Sequence, residues 1–285
     1  MKVVGNKYEI QEKLGEGNFG AVYRGINVHT DNPVAIKMES VNSPAKLLKN
    51  ETKIYHYLGK MPGIPELKWF GLYNMYYCMV ISMLGDSLSQ VVNRNHHISL
   101  NIICSLGIKM IQIVESIHKK GFVHRDIKPD NFLFGLEKKS DLYLVDFGFC
   151  KRFVKNDGTH IPEAKDKTPL GTLNYISVNV HNGHEPSRRD DMESLLYMLL
   201  FMTEGKLEWS YLSEQLDYEN VNDFIKTRKI FYMEKESVPA FLRDMWKECR
   251  SWSFEQKPKY EEWIEKLNSM IVKKNWNGFL KMDNL

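Results

Sequence analysis

From Tyr8 to Asn27 the run YEIQEKLGEGNFGAVYRGIN alternates apolar and polar residues with period two, interrupted by a cluster of glycines. Successive side chains of a strand point to opposite faces, so the pattern predicts two strands joined at the glycines. PVAIKMESV and YYCMVISML, rich in valine, isoleucine and tyrosine, predict further strands. Between them, AKLLKNETKIYHYLGKM sets Leu47, Leu48, Ile54, Tyr55 and Leu58 at helical spacing and stops at a glycine. Beyond Gly85 the period changes. SLNIICSLGIKMIQIVESIHKKG and RRDDMESLLYMLLFMTEG carry apolar residues on several faces, which predicts deeply buried helices, and YEEWIEKLNSMIVKKN predicts a last amphipathic one. No repeat and no Pro/Gly/Ser-rich linker interrupts the chain. A small strand-rich part therefore leads into a larger helical part, with the change near residues 82–88.

Composition narrows this picture. With 285 residues and 43% hydrophobic content the chain can bury a large core. Lysine and arginine number 39 against 36 acids, and a net charge of +3 is too small to imply nucleic acid as the main partner. The N-terminus lacks the apolar core of a signal peptide, and no apolar run reads as long enough to span a bilayer. The expectation is a soluble intracellular protein, cytoplasmic or nuclear, with no membrane partner. Cys78, Cys104, Cys150 and Cys249 are far apart, which predicts free buried thiols in a reducing compartment. His181 to His184, HNGH, lacks cysteine or acid partners at zinc spacing and reads as a surface turn.

Three stretches carry chemistry. Gly15-Glu16-Gly17-Asn18-Phe19-Gly20 fits GxGxxG. A dinucleotide fingerprint should open a helix, yet AVYRGINV continues as a strand, so the loop reads as a hairpin whose amides could cover phosphates. Val34-Ala35-Ile36-Lys37 follows, with a lysine in an apolar strand. Its bland reading is an edge lysine with its amine in water; the functional one pairs it with phosphate and with a carboxylate, best supplied by Glu51. In HRDIKPDNFLFG, from His124 to Gly135, Asp126 can accept a proton from a hydroxyl, Lys128 can neutralise a phosphoryl group in flight, and Asn131 can hold a metal ion. In LVDFGF, Asp146 follows a buried strand and is delivered where a hard oxygen ligand for magnesium would be placed. Taken singly, each is also a plausible solvated loop residue.

Together and in this order, these motifs resemble those of protein kinases over nearly the whole chain. Lys128 after the HRD acid resembles serine/threonine rather than tyrosine kinases. GIPELKWFG, HRDIKPDNFL, GTLNYISVNVHNG and SRRDDMESLLYML are similar to the casein kinase I family, with Ser177-Val178-Asn179 where most kinases have Ala-Pro-Glu. The resemblance implies an α+β bilobal kinase fold, with a strand-rich N-lobe over residues 1–84 and a mainly helical C-lobe over 85–285. It implies ATP and Mg2+ as cofactors, protein substrates bearing serine or threonine, and a monomer. Leu14, Gly15, Glu16, Gly17, Asn18, Phe19, Gly20, Ala21 and Val22 would cover the phosphates. Lys37 would meet Glu51 and the nucleotide, and the adenine would hang near Met83 and Leu84. Ile81 would be the gatekeeper, Leu133, Val22 and Ala35 would sandwich the base, and Asp191 would brace the His124-Arg125 turn. Asn131 and Asp146 would hold the metal.

The departures from that family concern substrate choice. Its members usually place an arginine where Asn174 stands here, and a lysine of the same anion pocket is matched by Asp217 in the acidic run SYLSEQLDYENVNDF. An amide and a carboxylate cannot hold a phosphate as two cations would, which predicts weakened recognition of phospho-primed substrates unless Lys226, Arg228 and Lys229 rebuild the pocket. The acidic run also replaces a basic segment associated with nuclear entry. The chain ends soon after its last helix, so activity without release from a tail is expected. The competing reading is a pseudokinase scaffold that binds nucleotide; against it, Lys37, Asp126 and Asp146 are all present.

Overall fold

The computed structural model describes residues 2–17, 20–95, 98–210 and 218–271. The chain forms two compact units, residues 1–86 with 133–150, and residues 87–132 with the chain from 151 onward. The change of texture falls at Asp86, but residues 133–150, which the sequence placed in the helical part, return to the strand-rich one.

In the first unit, strands β1 (Val3–Val4), β2 (Tyr8–Gly17), β3 (Gly20–Asn27), β4 (Pro33–Ser40), β5 (Leu67–Tyr73) and β6 (Tyr76–Ser82) form an antiparallel sheet in the order β1-β2-β3-β4-β6-β5. Alternation decides what each face carries. Val34 and Ile36 of β4 are fully buried with Val4, Tyr8, Cys78 and Val80, so Ala35 and Lys37 project from the other face. Gly20 turns the β2–β3 hairpin at φ 139°, and a Cβ there would lie 2.1 Å from the Met38 carbonyl oxygen. Only glycine fits such an approach.

Helix α1 (Leu47–Leu58) starts without a side-chain cap from its N-cap residue. Instead the buried Glu39 carboxylate of β4 accepts from Leu47 N at 3.0 Å and Leu48 N at 3.1 Å. A carboxylate at a helix N-terminus both satisfies free amides and suits the local dipole, so the strand fixes where the helix begins. Strand β7 (Leu84–Ser87) begins a second, three-stranded sheet with β9 (Phe132–Gly135) and β10 (Leu142–Leu144), and a 3₁₀ turn follows at Phe147–Phe149.

The second unit is mainly helical: α2 (Leu88–Arg94), α3 (Leu100–Lys119), α4 (Val178–His181), α5 (Arg188–Glu204), α6 (Tyr218–Met233), α7 (Ala240–Ser251) and α8 (Tyr260–Met270). A short antiparallel pair, β8 (Phe122–Val123) with β11 (Lys151–Arg152), and a 3₁₀ turn at Pro129–Asn131 complete it. Helix α3 packs on α5 and α8, and α5 is buried from Arg189 through Met202. Two expectations need correction here. Helix α3 is in fact long and apolar enough to cross a membrane, although over half of its apolar window is covered by its own protein. The HNGH segment is a surface turn only in part: His181 ends α4 with 3% exposure, while Asn182 in the turn that follows is exposed. All four cysteines are free and buried, as expected.

Candidate active site

The first unit assembles the glycine loop, Lys37, Glu51 and Asp146. Strands β2 and β3 pair Gly15 with Val22, Glu16 with Ala21, and Gly17 with Gly20; Asn18 and Phe19 lie outside the described residues. At Gly15 and Gly17 an added Cβ would meet nothing within 4 Å. Packing inside the protein therefore does not require glycine there, and the missing side chains leave the backbone approachable. Leu14 beside them is exposed. Register carries the surface onward, because directly paired residues share a face. Val22 pairs with Lys37, and Ala35 with Ile81, so these four lie together on the face opposite the Val34–Ile36 core. Leu84 is buried in β7, and Met83 and Leu133 are partly buried.

Lys37 Nζ donates to Glu51 Oε2 at 2.7 Å and to Asp146 Oδ1 at 2.8 Å. Burial opposes its charge, but the two carboxylates prevail and hold the ammonium above the ordinary lysine range. Burial likewise pushes the Glu51 carboxyl up to about 6, against the pull of Lys37. Asp146 stands in the left-handed region at φ 65°, which is uncommon for a residue with a side chain and costs about 1 kcal/mol or more. That conformation starts the turn which buries Phe147 edge-on against Tyr55 of α1, ring centroids 5.0 Å apart. The helix bearing Glu51 and the turn bearing Asp146 are thus packed together, while the Asp146 carboxylate keeps 41% exposure.

In the second unit the Asp126 carboxylate is held from both sides. Oδ1 accepts from Thr172 N at 3.0 Å and Thr172 Oγ1 at 2.8 Å; Oδ2 meets Lys128 Nζ at 2.8 Å and Asn131 Nδ2 at 3.3 Å. Lys128 Nζ also donates to Thr172 Oγ1 at 3.1 Å, and Asn131 Nδ2 to the Asp126 carbonyl at 2.8 Å. Because that carbonyl can only accept, the Asn131 amide is oriented with its oxygen as the atom left to offer. Asp191 braces the turn as expected, accepting from His124 N at 2.7 Å and Arg125 N at 2.9 Å. It also accepts from His118 Nε2 at 2.9 Å. Burial acts against its charge, and the bonds from His118 and His124 nevertheless hold it below the ordinary carboxylate range.

The sequence-predicted residues therefore gather as two sets, Lys37, Glu51 and Asp146 in one unit and Asp126, Lys128 and Asn131 in the other. Sequence reasoning missed Thr172, whose link to Asp126 spans 46 positions, and Glu39, which starts α1. It also missed Glu185, whose carboxylate meets Lys151 at 2.9 Å and Arg125 at 3.5 Å. One expectation is overturned: Lys229 cannot help rebuild an anion pocket, because it is fully buried. Lys226 pairs with Asp223 and Arg228 with Glu208, and Asp217 lies outside the described residues.

The donors suit magnesium. Asn131 and Asp146 offer hard oxygens, and among the described residues no group of three or more His, Cys, Asp or Glu is assembled to hold a metal by itself. Each oxygen is of the kind magnesium takes alongside substrate phosphates. A glycine hairpin beside a half-buried face, a lysine bridging two acids, and a second acid clasped by lysine, asparagine and threonine make a set of parts for phosphoryl transfer. Residues 8–275 match the family model of the protein kinase domain, and the chain belongs to the protein kinase family.

Proposed function

We propose that this chain is a serine/threonine protein kinase of casein kinase I type, transferring the γ-phosphoryl group of ATP to protein hydroxyls. Backbone amides of residues 15–20 and the Lys37 ammonium bind the nucleotide phosphates, and Glu51 holds Lys37 in place. Asn131 and Asp146 are the residues that would each offer an oxygen to magnesium, which when bound would supply positive charge against the phosphoryl oxygens. Asp126 orients the substrate hydroxyl and takes its proton. The bond from that oxygen to the γ-phosphorus forms, the bond to the β-phosphate oxygen breaks, and ADP departs. Lys128 lies beside the transferring group and needs no covalent intermediate.

The serine/threonine reading is carried by Lys128, whose Nζ bridges Asp126 and Thr172. Weak preference for primed substrates is supported by the neutral Asn174 and by the loss of Lys229 to the interior. The test incubates the protein with labelled ATP, magnesium, casein and a primed/unprimed peptide pair. Label should appear on serine or threonine with little gain from priming, and Asp126→Asn should lower kcat on the order of 10²- to 10⁴-fold. Label on tyrosine alone, or an unaffected Asp126→Asn protein, would refute the reading.

A further inference from the structure

Lys229 on α6 is a charged residue type with no exposed surface, and the reaction proposed above does not use it. Its Nζ donates to the Leu173 carbonyl at 2.7 Å and to the Ile176 carbonyl at 2.7 Å, and lies 3.0 Å from His181 Nε2. Which of the last two atoms donates follows from their neighbours. Asn222 Nδ2 donates to the His181 carbonyl at 3.1 Å, which orients that amide and turns Oδ1 toward His181 Nδ1 at 2.7 Å. Nδ1 must then carry the ring hydrogen, and Nε2 must accept. Burial, with Lys229 nearby, draws the His181 imidazole down to about 3, in keeping with a neutral ring. Lys229 therefore donates three hydrogens to three acceptors, with the Tyr197 ring 4.7 Å and the Trp209 ring 5.8 Å from its nitrogen. Burial pulls the ammonium well below the ordinary lysine range, and Glu193 opposes this.

The acceptors all belong to, or flank, one short segment. Tyr175 N and Ile176 N close a turn on the Thr172 carbonyl, Trp209 Nε1 donates to the Asn174 carbonyl at 2.9 Å, and Lys229 takes the carbonyls on either side. At the head of the segment, Thr172 holds Asp126 by two hydrogen bonds. We infer that Lys229 is a positioning residue for phosphoryl transfer: by fixing residues 172–176 it fixes Thr172, and through Thr172 the orientation of the Asp126 carboxylate. The inference rests on the kinase reading for its catalytic half, and on the fold alone for its structural half.

The test compares wild type with Lys229→Met, which keeps the length and removes the donors, using kinetics per folded molecule and amide exchange of peptides spanning 171–178. Lys229→Met should lower kcat on the order of 10- to 100-fold, as misplacement of a reacting group does, with KM for ATP unchanged and exchange faster in that segment. A positioning role has a further signature. Thr172→Val should lower kcat too, and the double variant should be little worse than the poorer single one, because both act on Asp126. Losses that multiply, or a kcat equal to wild type, would overturn the inference while leaving the kinase reading intact. If wild type itself transfers no phosphate, the kinase reading fails, and unchanged exchange in Lys229→Met would overturn the structural half as well. Should Lys229→Met not fold, Lys229→Gln, which retains two donor hydrogens, carries the same measurements with smaller losses expected.

Discussion

Lys37 keeps its charge in a largely buried position because two carboxylates face it, and each of the three groups depends on the others. Protonating Glu51 removes one of them. Since burial raises that carboxyl to about 6, the ion pair is complete above this pH and is lost as pH falls through it. We expect kcat/KM for ATP to decline below about pH 6, and the decline to vanish in Glu51→Gln, which should show a lower but flat profile over the same range. A Glu51→Gln profile that keeps the wild-type acid limb would assign the titration to another group. Asp126 is controlled differently: lysine, asparagine and threonine contacts on both oxygens set its direction.

At the scale of elements, the β2–β3 hairpin separates glycines required by the fold from glycines required by a ligand. Gly20 has a left-handed φ and faces the Met38 carbonyl, so Gly20→Ala must push strands apart and should lower Tm by a few degrees, more than ~1 kcal/mol of stability. Gly15 and Gly17 face open space, so Gly15→Ala and Gly17→Ala should leave Tm within about a degree while raising KM for ATP. Thermal melts and ATP titrations on the three variants check both halves, and a large Tm loss at Gly15 or Gly17 would show that these positions serve packing. The same scale explains α1. Its start is set by the Glu39 carboxylate from a neighbouring strand, eight and nine positions upstream of the amides it caps, and its side is locked by Phe147 against Tyr55.

For the whole molecule, binding and catalysis are separable, and that separates the two readings of the chain. A ligand that binds only the folded state stabilises it by about 2.7 kcal/mol at a hundredfold excess over Kd. ATP with magnesium should therefore raise Tm for wild type and for Asp126→Asn alike, and for Lys37→Met much less. Raised Tm without transfer would favour the scaffold reading; no rise at all would count against nucleotide binding. The local patterns were legible because they arise from short-range physics. Period two along β2–β4, period 3.6 along α1, and the order of the GxGxxG, VAIK, HRDIKPDN and DFG stretches sufficed to identify the class of fold and to name Lys37, Glu51, Asp126, Lys128, Asn131 and Asp146. What the sequence could not reveal depends on partners far along the chain. Residues 133–150 read as part of the helical region because their return to the first unit is a matter of contact. His181 and Lys229 read as surface groups because polarity alone predicts exposure, and only the tertiary structure brings the Leu173 and Ile176 carbonyls and Asn222 close enough to satisfy them inside. Thr172 carried no local signal for the same reason: hydrogen bonding across 46 positions is decided by where two loops come to rest, and no spacing along the chain encodes that.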